Sequence, residues 1–348
     1  MEILPIIADK NFNNLCVIDN YTSLIWTSRY FSVGDFEICV PVTENTLNYV
    51  KQDYYIIRPD DDHVGIIEDI KIQKNEDNEE LMIITGKFLS SILGRRIVAV
   101  QTQINNMTIS NGIYKLITEA IINPSIAKRK ISNFTLGNYA SSESFTQQIT
   151  GKNLLETIQD ICQTYNLGFK TILTNDNKFK FILYEGLDRT YDQSVNDYVI
   201  FSDKYDNLKS SDYEENYSSI VTNVLIAGEG EGTDRKTLWV TKDDPQGLDR
   251  YEYYQDARNA STNDGEISDQ EYYAQLQGEA MENITDYTTS FTGQVDFTGI
   301  VYKQDVNLGD LCVIENTKWG LYIYARLVEV IESVDESGAY TVLPTFSL

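Results

Sequence analysis

Histidine and cysteine are scarce in this chain of 348 residues, and their scarcity excludes several classes of chemistry. The one histidine, His63, cannot form a histidine-rich metal centre, and it argues against most histidine-dependent catalysis. The four cysteines stand singly, without the paired spacing of zinc ligands: Cys16, Cys39, Cys162 and Cys312. We therefore expect free thiols that fold in a reducing cytoplasm, and we expect no metal or other cofactor.

Long apolar runs and positive charge are also missing. No segment approaches the ~20 apolar residues that cross a bilayer, so we expect no membrane insertion, and the N-terminal start lacks the basic leader of a signal peptide. Lysine and arginine number 28 against 53 acidic residues, which gives a net charge of −25. Binding to nucleic acid depends on neutralising phosphates with basic side chains, so specific binding to DNA is not expected.

The basic residues that exist are concentrated in one segment. Residues 87–170 hold nine lysines and arginines against four acids, which leaves 28 − 9 = 19 against 53 − 4 = 49 for the rest of the chain. Such an asymmetry predicts a separate module with its own neighbours. Within it, Lys128, Arg129 and Lys130 are a candidate patch for docking onto an acidic neighbour.

The residues that are abundant favour β-structure. Hydrophobic residues make up 42% of the chain. The chain has 24 tyrosine residues, and tyrosine is favoured in strands and at hydrated interfaces. Alternating patterns predict strands at both ends of the chain, among them 218–228, 236–242 and 290–299. Helical spacing predicts helices in the middle, at 87–96, at 109–124 with Pro124 just beyond the helix end, and most clearly at 152–166. An acidic, Tyr-rich stretch lies at 243–267. A further helix is predicted at 269–283, where Ser268 and Glu271 have the spacing of a capping box.

One motif occurs twice, as "SVGDFEICV" at 32–40 and as "NLGDLCVIE" at 307–315. Each is followed by a strand, an acidic turn and another strand, in "GIIEDI", "KNEDNEE", "LMIIT" and in "RLVEVI", "SVDESG", "YTVLP". Glycine and aspartate suit a tight turn that leads into a strand. We therefore predict fold-defining turns that coincide when the two modules are superposed, at Gly34 and Asp35 and at Gly309 and Asp310.

These patterns predict an α+β fold that is mainly β, in which two similar β-barrel modules are joined by a small α+β module. The first barrel module is placed at 1–86 and the linker module at 87–200. The second barrel module is placed at 201–242 together with 290–348, and an acidic loop with a helix is inserted into it at 243–289. Convergent strand-and-turn chemistry is the alternative explanation of the repeat.

The candidate sites for chemistry are weak. "RPDDDHVG" at 58–65 places three aspartates beside His63, but consecutive residues seldom converge on one ion, and a solvated loop between strands is preferred. "AGEGEGTDR" at 227–235 lacks the Gly-Lys-Ser/Thr ending of a phosphate loop. The three tryptophans are expected in a barrel core or as interface anchors: Trp26, Trp239 and Trp319.

Seven motifs in order resemble those of siphophage tail-hub proteins: "YTSLIWTSRYFSVGDFEICVPV" (21–42), "GIIEDI" (65–70), "TGKFLSSILGRRIV" (85–98), "NLLETIQDICQTYNLGF" (153–169), "NVLIAGEG" (223–230), "GLDRYEYYQDARN" (247–259) and "VNLGDLCVI" (306–314). The family is similar to the central hub of contractile-tail baseplates. The resemblance implies a homotrimer in which two barrels from each chain form a pseudo-sixfold ring. It also implies that the protein is made in the host cytoplasm, is located in the virion tail and catalyses no reaction.

The same resemblance implies the partners. The ring would join a distal tail protein or the tail tube to the tip, position tail fibres or a tip lysin, and let DNA pass through its lumen without specific binding. Many relatives continue into a peptidase, a lysozyme or fibres, whereas this sequence stops at Leu348, so we expect such functions on another protein. The alternatives are a carbohydrate-binding or receptor-binding module, and a glycoside hydrolase with two carboxylates in a cleft.

Overall fold

The computed structural model of the chain describes residues 3–74, 78–262, 267–295 and 299–348. Strands predominate over helices throughout these residues, which confirms a mainly β fold. Parts of three predicted elements lie outside the described residues: the acidic turn at 74–80, the Tyr-rich stretch at 243–267 and the strand at 290–299.

The N-terminal part contains seven strands and one short helix: β1 (Ile6–Ala8), β2 (Asn14–Val17), β3 (Ser23–Arg29), β4 (Asp35–Pro41), α1 (Glu44–Tyr49), β5 (Tyr55–Ile57), β6 (Val64–Lys74) and β7 (Glu80–Phe88). The alternation in β4 turns Phe36, Ile38 and Val40 into the core, as period-2 patterning predicts. The predicted strands and the helix are found here, with ends displaced by a few residues.

The middle part combines strands and helices: β8 (Thr102–Thr108), α2 (Ile109–Ile117), β9 (Phe134–Leu136), β10 (Ser144–Ile149), α3 (Leu154–Thr164), β11 (Gly168–Leu173) and β12 (Phe179–Tyr184). A π-helical turn extends α2 to Ile122, so Pro124 follows its end as predicted. The helix predicted at 87–96 is a 3-10 helix, Leu89–Arg95. Helices α2 and α3 pack into one core with the β11–β12 hairpin.

The C-terminal part contains nine strands and one long helix: β13 (Ile200–Ser202), β14 (Leu208–Asn216), β15 (Asn223–Ala227), β16 (Thr237–Thr241), β17 (Glu252–Asp256), α4 (Asp269–Met281), β18 (Thr288–Val295), β19 (Leu311–Asn316), β20 (Leu321–Val334) and β21 (Tyr340–Ser347). Single 3-10 turns lie at Ala127–Arg129, Gly232–Asp234 and Gly247–Asp249. The capping box of Ser268 and Glu271 begins α4 as predicted.

Strands β15, β16 and β17 form a separate sheet that packs against α4. The strands predicted at 218–228 and 236–242 therefore do not belong to the sheet of the second module, and the stretch at 243–267 contains a strand that the sequence did not indicate. The alternating pattern identified the strands but not their partners. Gly278 lets α4 approach β10 closely, because a Cβ there would lie 2.6 Å from the Thr146 carbonyl oxygen.

The main sheet has thirteen strands, in the order β14-β18-β21-β20-β3-β4-β7-β6-β5-β1-β2, with β19 beside β20 and β13 beside β19. No pairing among the described strands joins the two ends of this path. The two closed barrels of the prediction are therefore not confirmed. Nor does any helix of the described chain have the length and apolarity to cross a membrane.

The order of pairing is repeated along this sheet. β3-β4-β7-β6-β5-β1 in the first half corresponds to β14-β18-β21-β20-β19-β13 in the second, with the strands in the same chain order. The register of two hairpins matches residue by residue: Lys74 pairs with Glu80 and Val334 with Tyr340. One departure is that β1 is antiparallel to β5, whereas β13 is parallel to β19.

Both hairpins also carry a bulge at the same distance from the turn. In β6 the bulge lies between Ile67 and Asp69, and in β20 it lies between Leu327 and Glu329. The two positions differ by 260 in residue number, as do the pairs that close the hairpins. A bulge changes the local twist of a strand, so its repetition means that the two hairpins share their shape as well as their pairing.

This register shows that the predicted coincidence of the two Gly-Asp pairs is wrong. Gly34 and Asp35 lead into β4, which corresponds to β18, whereas Gly309 and Asp310 lead into β19, which corresponds to β5. The two glycines also serve different needs. A Cβ at Gly34 would lie 2.1 Å from the Thr27 carbonyl oxygen, while Gly309 has a φ of +95°.

Candidate assembly site

The two halves of the main sheet meet where β20 pairs with β3. The pairing is antiparallel and runs from Glu329 opposite Arg29 to Val334 opposite Leu24. Each half has its own apolar core, one around Trp26 and Phe36 and the other around Leu327 and Phe346. The β20·β3 pairing, called here the internal junction, therefore joins two cores through one continuous sheet.

An ion pair closes the solvent face of the internal junction. Arg29 donates from Nε to Glu329 across the two strands at 2.6 Å, and a second guanidinium nitrogen contacts Asp35. Burial would lower the pKa of Arg29, but the two carboxylates outweigh it and raise that pKa. The pair links β20 and β3 to the start of β4.

On the core face of the internal junction a buried carboxylate, Glu332, is paired with three groups. It accepts hydrogen bonds from Arg58 Nη2 at 3.1 Å, from Lys303 Nζ at 2.9 Å and from the Tyr340 hydroxyl at 2.8 Å. Glu332 and Arg58 are each 1% exposed, and the guanidinium lies 5.1 Å from the centre of the Trp26 ring. Buried charges are tolerated when they are paired in this way, and removing one partner is costly.

The loop at 58–65 extends this network, although Asp60 and Asp62 are exposed, as expected for a solvated loop. Asp61 accepts from Lys303 Nζ at 2.6 Å and from His63 Nδ1 at 2.8 Å, and its side chain is 2% exposed. Burial would raise its pKa, but these hydrogen bonds and charges hold the pKa of Asp61 well below its ordinary value. Asp62 pairs with Lys170 at 2.6 Å. The expected solvated loop is therefore a contact point for three parts of the chain.

The same cluster does not suit a divalent cation. Ligand atoms of Asp61, Asp62 and His63 lie within 4.8 Å of one another. However, the ammonium groups of Lys303 and Lys170 already bind the two carboxylates, and a cation placed there would meet their positive charge.

Asp310 holds the segment that connects the middle module to the second half. It is 1% exposed, binds Arg189 Nε at 2.6 Å and accepts from the Leu187 amide at 2.8 Å. Gly186 lies directly against Gly309, because a Cβ on Gly186 would be 1.9 Å from the Gly309 carbonyl carbon. These contacts are compatible with a fold-defining role for Gly309 and Asp310, which stays a prediction.

The three tryptophans occupy different environments. Trp26 is fully buried beneath the internal junction, whereas Trp239 is 47% exposed and Trp319 is 53% exposed. The Arg250 guanidinium lies over the Trp239 ring, 5.1 Å from its centre. Trp26 is therefore a core residue, and an anchoring role for the other two stays a prediction.

The basic patch is divided between internal and external roles. Lys128 and Lys130 are exposed, but Arg129 donates from Nη2 to the Ile97 carbonyl at 2.5 Å and so fixes a neighbouring loop. Docking through this patch stays a prediction, and Arg129 contributes less to it than the sequence indicated.

The sequence did not identify Arg58, Lys303 and Glu332 as a group. The signal available was Glu332, one of two acids in the largely apolar strand "LVEVIESV" and the one that alternation places on the same face as Val330 and Val334, where a charge needs a buried partner. Its partners lie 274 and 29 residues away, and only the fold brings them together.

Comparison with known proteins identifies one family and several solved structures of similar fold. A family model described as Siphovirus ReqiPepy6 Gp37-like protein matches residues 3–346. A search of curated protein sequences finds no match. Among solved structures, a tail protein from Neisseria meningitidis MC58 has a TM-score of 0.59 at 12% identity, and the match covers 100% of this chain and 97% of that chain.

Two further tail proteins have the same fold. The 43 kDa tail protein of prophage MuSo2 from Shewanella oneidensis has a TM-score of 0.54 at 12% identity, covering 99% of this chain and 97% of that chain. The prophage tail protein gp18 from Listeria monocytogenes EGD-e has a TM-score of 0.55 at 12% identity, covering 99% and 94%. At these identities the likeness is one of fold.

Proposed function

The chain belongs to the Siphovirus ReqiPepy6 Gp37-like family of tail proteins, and from this premise we propose that it is the structural hub at the tip of a phage tail. Its location is the tail of the virion. In the proposed role three copies form a ring, each contributing two similar halves, so that six halves surround a channel. The ring joins a distal tail protein or the tail tube to the tip.

The repeated strand order of the main sheet carries this proposal. A ring with approximate sixfold symmetry built from three chains needs two equivalent units in each chain. The two halves have corresponding strands in the same order, and their hairpins share loop length and bulge position. The two halves also lie side by side in one sheet. A ring would repeat this side-by-side placement from one chain to the next.

The solvent face of the sheet is the proposed lining of the channel. It carries more acids than bases, among them Asp35, Glu37 and Glu329. Like charges repel, so an acidic lining would let DNA pass without adhering. No reaction is proposed for this chain, and tail fibres or a tip lysin would be partners rather than parts of it.

The two alternatives find less support. A carbohydrate-binding module would gather its exposed aromatic rings in one groove, whereas here they form separate groups. Tyr191, Tyr198 and Tyr322 contact one another beside β20, Tyr217 stacks on Tyr287, and a third group lies on the β15–β17 sheet: Trp239, Tyr253 and Tyr254. A glycoside hydrolase needs two available carboxylates in a cleft. The cleft beside the 58–65 loop has five carboxylates in its lining. Four aspartates, Asp60, Asp61, Asp62 and Asp310, are each engaged by a lysine or an arginine, and Glu185 accepts a hydrogen bond from the Tyr139 hydroxyl.

Light scattering after size-exclusion chromatography, over a series of protein concentrations, tests the proposal. The expected result is a species of three times the chain mass, whose averaged electron-microscope images show a ring of six similar units around a channel. A chain that is monomeric at every concentration, or that closes with another number of copies, would overturn the three-chain ring. Tight retention of double-stranded DNA at physiological salt would overturn the non-adhesive channel.

A further inference from the structure

The two halves of the main sheet differ in how one edge of the corresponding strands β6 and β20 is paired. In β20 the first part of one edge pairs with β19 and the second part, Glu329–Val334, pairs with β3. In β6 the first part of that edge pairs with β5, but no described strand pairs with its second part, Asp69–Lys74. The sheet therefore has at β6 an open edge where its counterpart at β20 has a neighbour.

The side chains at this open edge have the character of an uncovered interface. Ile72 corresponds to Glu332 and Ile70 corresponds to Val330 in the matched register. Val330 and Glu332 are each 1% exposed because β3 covers them, whereas Ile72 is 53% exposed and Ile70 is half-buried. Covering an apolar side chain in this position with another strand would remove its surface from water, which is favourable in free energy.

A second open edge lies at the far end of the same sheet. β14 is the terminal strand of the path, and it corresponds to β3, the strand that covers β20. Trp26 and Tyr213 hold equivalent places, since Trp26 pairs with Phe36 of β4 and Tyr213 pairs with Phe291 of β18. One chain thus presents both halves of a junction that it makes internally only once.

We propose that β6 residues 69–74 of one copy pair antiparallel with β14 residues 211–216 of a second copy of the chain, reproducing the internal junction between subunits. The proposal rests on the ring of the proposed function and deepens it. The register transfers from β20·β3: Glu329 opposite Arg29 becomes Asp69 opposite Asn216, and Val334 opposite Leu24 becomes Lys74 opposite Ser211.

One pair of opposite charges lies directly across the two edges in this register, while Glu215 of the second copy lies opposite Ile70. Lys71 lies opposite Glu214 of the second copy, and Asp212 is the diagonal neighbour of that pair on the same face. On the other face Ile72 lies opposite Tyr213, whose ring packs at the edge of the second core. Opposite charges and aromatic–aliphatic pairs placed directly across two strands are both favourable.

The same edges explain why a second copy is the occupant. Both edges belong to one sheet in one chain, so the contact is head-to-tail and can repeat until the ring closes. Open edges with alternating exposed side chains otherwise invite unspecific pairing. The internal junction shows that this sequence pairs β20 with β3 in one register, and the corresponding strands offer that register again.

Disulfide trapping tests the proposed register. Cys16 and Cys39, the two native cysteines that are not buried, are replaced by serine, and Lys71→Cys is combined with Glu214→Cys. Cβ atoms directly opposite each other in antiparallel strands are about 5 Å apart, within reach of a disulfide after small adjustments. Under mild oxidation we expect linked dimers and trimers on a non-reducing gel that disappear with reductant.

A matched control uses Ile72→Cys with Glu214→Cys. These side chains point to opposite faces of the sheet in the proposed register, and a slip of one residue reverses every face. The control should give at least tenfold less linked product. Equal or greater linkage in the control would overturn the register.

Charge exchange provides a second test that needs no cysteine. Lys71→Glu alone and Glu214→Lys alone should each raise the concentration needed for assembly several-fold, and the double exchange should restore it. Assembly is read from light scattering, and circular dichroism confirms that each variant folds. A double exchange that assembles worse than either single variant would overturn the contact.

The outcomes separate this inference from the proposed function. Three-chain particles without Lys71–Glu214 linkage overturn the strand pairing and leave the ring standing. In-register linkage in particles with another number of chains supports the pairing and overturns the three-chain ring. A chain that neither assembles nor links at any concentration overturns both.

Discussion

The hairpins β6–β7 and β20–β21 have one backbone design and two different environments. Each has five residues between the closing pair and a bulge at the same place, yet Glu332 is 1% exposed and its counterpart Ile72 is 53% exposed. The hairpin therefore does not determine which residues are buried. The strand beside it does, and among the described strands only β20 has such a neighbour along its second part.

The difference extends to the charges. At the internal junction the positive charges of Arg58 and Lys303 are balanced by Glu332 and Asp61. At the open edges the opposite charges lie apart, with Lys71, Lys74 and one acid, Asp69, on the second part of β6 and three acids, Asp212, Glu214 and Glu215, on β14. A junction completed during folding can bury its ion pairs permanently. A junction completed during assembly must keep both edges soluble until they meet, and charged edges achieve this.

The largest expected effect comes from removing the buried carboxylate at the internal junction. Glu332→Ala leaves Arg58 buried with Asp60 as its remaining carboxylate partner and removes an acceptor from Lys303 and Tyr340, and we expect the free energy of unfolding to fall by about 3 kcal/mol. The matched variant at the open edge, Ile72→Ala, should change it by less than about 0.5 kcal/mol in the unassembled chain. Urea unfolding followed by circular dichroism measures both. Equal costs for the two variants would show that burial at the junction does not distinguish the halves.

Much of the main sheet follows from the sequence. Strong alternation, as in "FEICVPV" and "LMIIT", gave strands close to β4 and β7, and the acidic turns marked the two hairpins. The later part of the repeat corresponds in the structure, because hairpin register depends on local loop length and pattern. The Gly-Asp part does not correspond, since such a turn can precede any strand and carries no information about its neighbours.

The candidate site was harder to predict from the sequence. β14, "LKSSDYEEN", is polar on both faces and gave no strand pattern, because its covering partner lies outside the chain in the proposed ring. The ion network at Glu332 depends on residues far apart in sequence. The strands at 218–228 and 236–242 were identified but assigned to the wrong sheet, since pairing between distant strands is not encoded in their periodicity.

A partly buried glutamate, Glu282, contrasts with the fully buried and well-paired Glu332. Glu282 accepts a hydrogen bond from the Gln147 amide, between α4 and β10, and burial raises its pKa to about 7, with Lys152 opposing the shift and Asp160 adding to it. The unfolded pKa is roughly 4.3, so the folded state binds the proton more tightly. Its contribution to stability is complete below that pH and is lost as the pH rises through 7.

We therefore expect the wild-type protein to lose about 1–2 kcal/mol between pH 5.5 and pH 8.5 relative to Glu282→Gln. Urea unfolding at the two pH values measures the difference. Glu143→Gln, at an exposed site nearby in the middle module, should leave the pH dependence unchanged. A Glu282→Gln variant that loses stability with pH as steeply as the wild type would contradict the assignment.

The smallest expected effect concerns the ion pair on the solvent face of the internal junction. Arg29 and Glu329 are each about one quarter exposed, so a double-mutant cycle of Arg29→Met and Glu329→Gln should give a coupling energy of about 0.2–1 kcal/mol for unfolding. The same cycle on Lys71 and Glu214 should give no coupling in the unassembled chain, because those strands lie at distant places in the sheet. Coupling between Lys71 and Glu214 should appear only in the free energy of assembly. Coupling in the unassembled chain would mean that the open edges already meet within one subunit, and the distinction between the internal junction and the junction between copies would be lost.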